Sequence, residues 1–355
     1  MQVRRRHLPT ALLLSLLATF VVCSPAYGDS LAVKRAEASR VEAQVSALNT
    51  KAEIASEKYN AAHDRYRKLN DKVHAVERAI AKLDKRQGTL QTHLNTRATD
   101  IYRNGPLGYM SVLLSVRSFD QFEATSKVLT SLNQQDAATV AQLKQAKAEA
   151  QTARATLVAS RKEADKQQTA MEANAAAVKK QLAARKHLLD GLTAEVQALM
   201  ARKIAEQKAA EQARTMALLL RQRTAANGGI ILGGPPPSSS KAAAAVYWAE
   251  KQIGKPYVWA AAGPDTFDCS GLMLFAYAKV GITLSHYSGA QITEGASVSR
   301  SDLQPGDLVF FGSPIHHVGM YAGGDTFIEA PYTGADVRIT PLSNRSDFAG
   351  ACRPQ

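Results

Sequence analysis

The sequence predicts an α+β protein: a long antiparallel α-helical coiled-coil hairpin, then a small C-terminal domain in which helices pack on an antiparallel sheet. Three observations predict it. A proline-free stretch rich in Ala, Lys, Glu, Arg and Gln runs from Ser30 to Asn104. A second Ala-rich helical stretch runs from Phe122 to Arg223. The last 115 or so residues carry both tryptophans and short alternating apolar segments, and a chain of roughly that length suffices for one core.

The segments divide as 1–28, 29–224, 225–240 and 241–355. The first reads as a secretory signal peptide. Arg4, Arg5 and Arg6 precede an apolar run from Leu8 to Cys23, and Ala26 and Gly28 are small residues before a cut at Asp29. That run is too short for a membrane span. A cut after Ala26, a lipoprotein read from Cys23 and twin-arginine export are the alternatives. An exported, extracytoplasmic protein associated with the cell wall is expected.

In the first arm a 4-3 spacing joins Val41, Val45, Leu48, Ala52, Ala55, Tyr59, Ala62, Tyr66, Leu69, Val73, Val76, Ile80 and Leu83. Such a register, held for about six heptads, is a coiled-coil signal. At ~1.5 Å per residue the arm is a rod of roughly 110 Å, which needs a partner helix to bury its stripe. Asn104-Gly105-Pro106-Leu107-Gly108 breaks the helix, and the second arm supplies the partner on a less regular seam. Between the arms, near 105–122, lies an apolar island from Tyr109 to Leu114, followed by Ser118-Phe119-Asp120-Gln121-Phe122. Physics alone leaves two readings for it, a cap packed on the hairpin tip or an exposed docking lobe. Residues 225–240, AANGGIILGGPPPSSS, form a linker in which Ile230-Ile231-Leu232 is apolar enough to dock on a neighbour.

The net charge of +13 and pI near 9.6 suit anionic surroundings. For an exported chain these are cell-envelope polymers rather than nucleic acid. The charges are dispersed along helix faces and identify no ligand. Cys269 and Cys352 remain after export, too few for a disulfide framework, although one bridge between them is conceivable. A metal site is the weaker competitor, since Cys269, Cys352, His286, His316 and His317 lack paired ligand spacing. No cofactor is expected.

Chemistry concentrates in 241–355. Lys241 to Ile253 reads as an entry helix. Cys269 opens an apolar helical segment that closes at Gly281. A thiol at a helix N-terminus faces the positive end of the macrodipole and free N–H groups, which favour thiolate and, through the Cys269 N–H, an oxyanion. Ile315 to Tyr321 and Thr326 to Glu329 read as adjacent strands. His316 and His317 then point to opposite faces, and His317 is the expected base, with His316 as the alternative. Glu329, twelve residues on, would orient the imidazole and stabilise its protonated form. These residues argue thiol acyl transfer.

Gly254-x-Pro256-Tyr257-x-Trp259, Asp268-Cys269-Ser270-Gly271-Leu272, Ser288-x-x-Gln291, Pro305-Gly306-Asp307-Leu308 and His317-Val318-Gly319-Met320-Tyr321 stand in that order. Together they resemble the NlpC family of papain-like cell-wall peptidases. The resemblance covers the C-terminal domain and implies a papain-like fold, Cys269 as nucleophile, His317 as base and Glu329 as the third group. It implies oxyanion or substrate binding by Tyr257, Asp268, Ser270 and Ser288. The implied substrate is a peptidoglycan stem peptide, cut between D-isoglutamate and a diamino acid. An amidase with the same thiol chemistry and a non-catalytic wall-binding scaffold or activator are the alternatives. Ala98 to Gly105, with the tip segment, is similar to the hairpin tip of division-associated hydrolases. That likeness implies engagement of the FtsE–FtsX membrane complex and a coiled coil that covers the cleft until engaged.

Overall fold

The computed structural model describes residues 31–105, 112–225 and 241–355. The expected signal peptide, the first half of the apolar island (Tyr109 to Ser111) and the Ile230-Ile231-Leu232 segment lie outside the described residues.

Helix α1 (Leu31–Asn104) and helix α2 (Phe119–Asp190) form the hairpin. The heptad residues Val41, Ala52, Ala55, Ala62 and Val73 are buried, as a shared seam requires. From α2, Leu143, Ala146, Ala150, Ala164 and Val178 are buried. Alanine contributes little burial per residue but lets the two backbones approach closely. Antiparallel pairing shows in the cross-helix pairs Arg97–Asp136, Asp84–Arg154 and Glu77–Arg161, whose numbers run in opposite directions. Helix α2 starts at an N-cap, Ser118, whose hydroxyl accepts from the Gln121 N–H at 3.2 Å.

The second arm is not one helix. It stops at Gly191, and helix α3 (Ala194–Ala225) begins three residues later. Thr193 supplies the restart, its hydroxyl accepting from Val196 N–H. Helix α3 runs parallel to the start of α1: Lys34 meets Glu195 and Glu42 meets Lys203, both pairs 161 residues apart. A short polar Gly-Leu-Thr break inside an Ala-rich run was invisible to heptad counting. At the tip, Tyr102, Leu114 and Phe119 are 79–88% exposed, with Ile101, Val112 and Phe122 also exposed. Among the described residues no helix is long and apolar enough to cross a membrane.

The C-terminal domain holds helix α4 (Lys241–Glu250), helix α5 (Cys269–Ala278) and a single helical turn, α6 (Ser288–Gln291). Its strands are β1 (Gly295–Ser297), β2 (Leu308–Phe311), β3 (His317–Gly323), β4 (Thr326–Glu329), β5 (Arg338–Pro341) and β6 (Phe348–Pro354). They form one sheet in the order β1-β6-β2-β3-β4-β5, antiparallel at every pairing. The central strands are buried on both faces, so Leu308–Phe311 reads as an unbroken apolar run. One face packs against α4 and α5 through Leu272, Met273, Leu308, Phe310, Val318 and Ile328. The other face packs Val309, Phe311, Phe327 and Leu342. Both clusters of buried residues lie wholly within 245–352, so this domain carries a core of its own.

Rod and domain touch along a second stripe of α1. Asn49, Ser56, Glu57, Asn60 and Asp64 are buried although they lie off the heptad seam. Tyr59 meets Trp259 edge-on, with ring centroids 5.2 Å apart. Arg185 of α2 donates to the Thr333 carbonyl at 2.5 Å. Helix α3 adds the pairs Lys208–Asp336 and Glu211–Arg338.

Candidate active site

Cys269 stands at the first position of α5 because Asp268 ends the preceding extended segment as an N-cap. Its carboxylate accepts from the Gly271 N–H at 2.7 Å. Gly271 is required by close approach, since a Cβ there would stand 2.2 Å from the Ala261 carbonyl oxygen. Burial of Leu272, Met273, Ala276 and Tyr277 fixes the helix on the sheet, and Gly281, at φ +78°, ends the turn that follows. The Asp268 carboxylate also receives His286 Nε2 at 2.8 Å and Asn60 Nδ2 at 3.0 Å. Its oxygens are thus occupied by structural contacts. His286, considered above only as a metal ligand, braces the cap.

His317 opens β3, one strand from Glu329 at the end of β4. Its Nε2 donates to Glu329 Oε2 at 2.7 Å, and both side chains are buried. Arg338 lies directly opposite Glu329 on β5 and donates from Nε at 3.0 Å to Oε1. Thr340, on the same face, donates to that oxygen at 2.6 Å. Burial opposes ionisation of Glu329, but these partners outweigh it and hold the carboxyl well below its usual range. Burial pushes the His317 imidazole down, against the pull of Glu329. With Nε2 bonded to the carboxylate, Nδ1 is the basic atom, and it makes no hydrogen bond within the protein. His316 precedes the strand and turns back, its Nδ1 2.9 Å from the Pro314 carbonyl. The two histidines do not alternate within one strand; only His317 joins a buried carboxylate.

Helix α5 packs against β3, which brings the thiol and imidazole onto facing elements. Tyr257 is buried near the thiol; burial first, then the neighbouring Cys269 and Asp268, push its phenol up. Gln291, the fourth residue of Ser288-x-x-Gln291, donates to the carbonyls of Ser270 and Ser285 at 2.9 and 2.7 Å and so ties α6 to α5. Cys269 and Cys352 are both free and buried, and no bridge joins them. Cys352 sits in β6 with Sγ 3.2 Å from the Gln291 carbonyl, and burial holds its thiol at about 12. No cluster of metal-ligating side chains occurs among the described residues.

The structure departs from the thiolate expected at Cys269. Burial, then the carboxylates of Glu57, Asp268 and Glu53, push the thiol well up, against the help of the Ser270 backbone. The source is α1. Glu57 Oε1 lies 3.7 Å from Cys269 Sγ and accepts from Ser270 Oγ at 2.9 Å. Glu57 Oε2 accepts from Ser288 N–H at 2.6 Å and Ser288 Oγ at 2.5 Å. Asn60 donates to Glu57, Asp268 and Ser270. Sequence reasoning missed Glu57 and Asn60, because polar residues off a heptad seam read as a solvated helix face. It also missed Arg338 and Thr340.

A thiol at a helix N-terminus, and a buried His–Glu pair reached through the strand that helix packs against, are the groups that a cysteine-nucleophile acyl-transfer site would use. Residues 254–347, within the C-terminal domain, match the NlpC/P60 family. The chain is 45% identical over 105 residues to peptidoglycan endopeptidase RipA of Mycolicibacterium smegmatis, covering 26% of this chain and 21% of that protein. It is 48% identical over 91 residues to probable endopeptidase p60 of Listeria grayi, covering 25% and 18%. It thus spans about a fifth of the length of these curated relatives. Among solved structures, the NlpC/p60 domain of the peptidoglycan hydrolase SagA is 36% identical, with 31% of this chain and 97% of that one covered, at a TM-score of 0.30.

Proposed function

We propose that this protein is an exported cysteine endopeptidase that hydrolyses peptidoglycan stem peptides, cutting between D-isoglutamate and a diamino acid. The observation that carries the reading is Cys269 at the start of α5, a helix packed against β3, whose His317 pairs with the buried Glu329 of β4. Relatives named peptidoglycan endopeptidase and probable endopeptidase match this chain over 105 and 91 residues, which supports the reading.

In the proposed reaction His317 Nδ1 takes the Cys269 proton while the sulfur bonds to the peptide carbonyl carbon. The Cys269 N–H, free of intrahelical pairing at the first helical position, and the Tyr257 hydroxyl receive the developing oxyanion. Collapse of the tetrahedral intermediate breaks the C–N bond, and His317 passes its proton to the departing amine. Water, deprotonated by the same nitrogen, then attacks the thioester and releases the acid and the thiol. Glu329 holds the imidazole and offsets its transient charge. Ser270 and Ser288, whose donors converge beside the thiol, bind the substrate.

The coiled coil regulates this activity, since α1 covers Cys269. The exposed Tyr102, Leu114 and Phe119 at the hairpin tip form an apolar docking surface for a membrane partner, the FtsE–FtsX complex. The wall lies outside the cytoplasm, as does the site of action.

Because the C-terminal domain has its own core, a fragment of residues 241–355 tests the chemistry free of the rod. Incubated with purified sacculi, it should release stem-peptide fragments with new termini at the isoglutamyl bond, read by mass spectrometry. Cys269→Ala should lower release by at least about 10³-fold. Equal release by that variant would sink the mechanism, and termini at the glycan–peptide bond would make the enzyme an amidase.

A further inference from the structure

On the docked face of α1 Glu57 is 3% exposed, and its hydrogen-bond donors are the Asn60 amide, the Cys269 thiol, the Ser270 and Ser288 hydroxyls and the Ser288 N–H. None is a cation. A carboxylate taken out of water with no paired cation is costly, and neutral donors only partly offset the cost. Every donor except Asn60 belongs to α5 or α6, the two elements that frame the thiol. Glu57 is therefore bound by the site as a ligand would be, and its Oε1 lies against the sulfur that must attack.

The contact is built to be reversible. Asp268 places a second carboxylate near the first, and burial and that neighbour both push the Glu57 carboxyl up. Ser56 Oγ and Asn60 Oδ1 are buried on the same face with no hydrogen-bond partner in the protein. Alongside, the rod stands away from the domain across a cleft of about 1100 Å³, reaching from Glu42 and Lys203 to Asp336 and Arg345. The docked face thus combines well-made hydrogen bonds with unpaired buried polar atoms and an open cleft beside them.

We propose that Glu57 is an internal plug: it occupies the donors of Ser270 and Ser288, blocks Cys269, and must be withdrawn with α1 before a wall peptide can bind. This rests on the reading of Cys269 as nucleophile. The isoglutamyl residue of the proposed substrate carries a free carboxylate, so peptide and plug compete for one set of donors.

Full-length protein, with Glu57→Ala and the volume-matched Glu57→Gln, provides the test. Iodoacetamide labelling is followed peptide by peptide in the mass spectrometer, together with hydrolysis of a soluble stem peptide. Cys352 is the internal control, because it labels only if the domain unfolds. Glu57→Ala should raise both Cys269 labelling and hydrolysis at least about tenfold, with Glu57→Gln intermediate, while Cys352 stays protected. If Glu57→Ala exposes Cys352, the comparison with wild type is made on Glu57→Gln instead. Cys269 labelling within about twofold of wild type, with Cys352 protected, overturns the plug. Faster labelling without hydrolysis leaves the plug standing and removes the peptidase reading. The opposite failure shows as an active 241–355 fragment beside Glu57 variants no faster than wild type.

Discussion

Glu329 carries three hydrogen bonds in a buried corner, from His317, Arg338 and Thr340. Arg338 and Thr340 keep its charge available to the imidazole without touching the thiol, so they act as positioning residues. In the 241–355 fragment, Glu329→Gln should lower kcat by about 10²- to 10⁴-fold. It should also move the acid limb of the pH profile downwards. The sign follows from charge: without the carboxylate, the protonated imidazole loses its stabilising partner and its pKa falls. A loss of activity with an unmoved limb would mean that Glu329 only holds the fold together. His317 was readable in the sequence through its place before an apolar run, and Glu329 through its spacing. Arg338 was not, because only the β4–β5 register sets it opposite Glu329.

At the scale of elements, α5 is the piece on which the site depends. An extended Asp268, a cap to Gly271 and a buried face together fix where the sulfur lies. Gly271→Ala would force a Cβ to within 2.2 Å of the Ala261 carbonyl, a backbone atom that cannot swing aside. Overpacking of this kind costs about 1–3 kcal/mol, so a fall in the midpoint of thermal or urea unfolding is expected. An unchanged midpoint would show that the 254–268 loop yields readily. The helix start at Cys269 was legible from the apolar run that follows it, whereas the capping role of Asp268 was not. The break at Gly191 was not legible, since its flanks share one composition and α3 is held by partners far away in sequence.

Across the whole molecule, the rod's docking depends on buried carboxylates. Glu53 of α1 has its carboxyl pushed up to about 8, by burial first, then by Glu329, Asp347 and Glu57, against Arg345. An acid whose pKa rises on docking favours the docked state while protonated. That contribution is complete below about pH 4.5 and is lost as pH climbs towards 8. Glu57 shifts in the same direction. The Trp259 emission of full-length protein, sensitive to the Tyr59 edge contact, should therefore report progressive undocking over that range. Glu53→Gln should flatten the titration, and an identical curve in that variant would rule this source of pH dependence out.

The sequence by itself determined the heptad rod, the thiol at a helix start and the His317–Glu329 spacing, because each rests on periodicity or on spacing along the chain. Only the tertiary structure decided which residues cover Cys269, and that burial and their carboxylates oppose its ionisation. That outcome rests on Glu57 and Asn60, more than two hundred residues away along the chain. Their burial comes from a second face of α1, and polar residues at helical spacing carry no mark of what covers them.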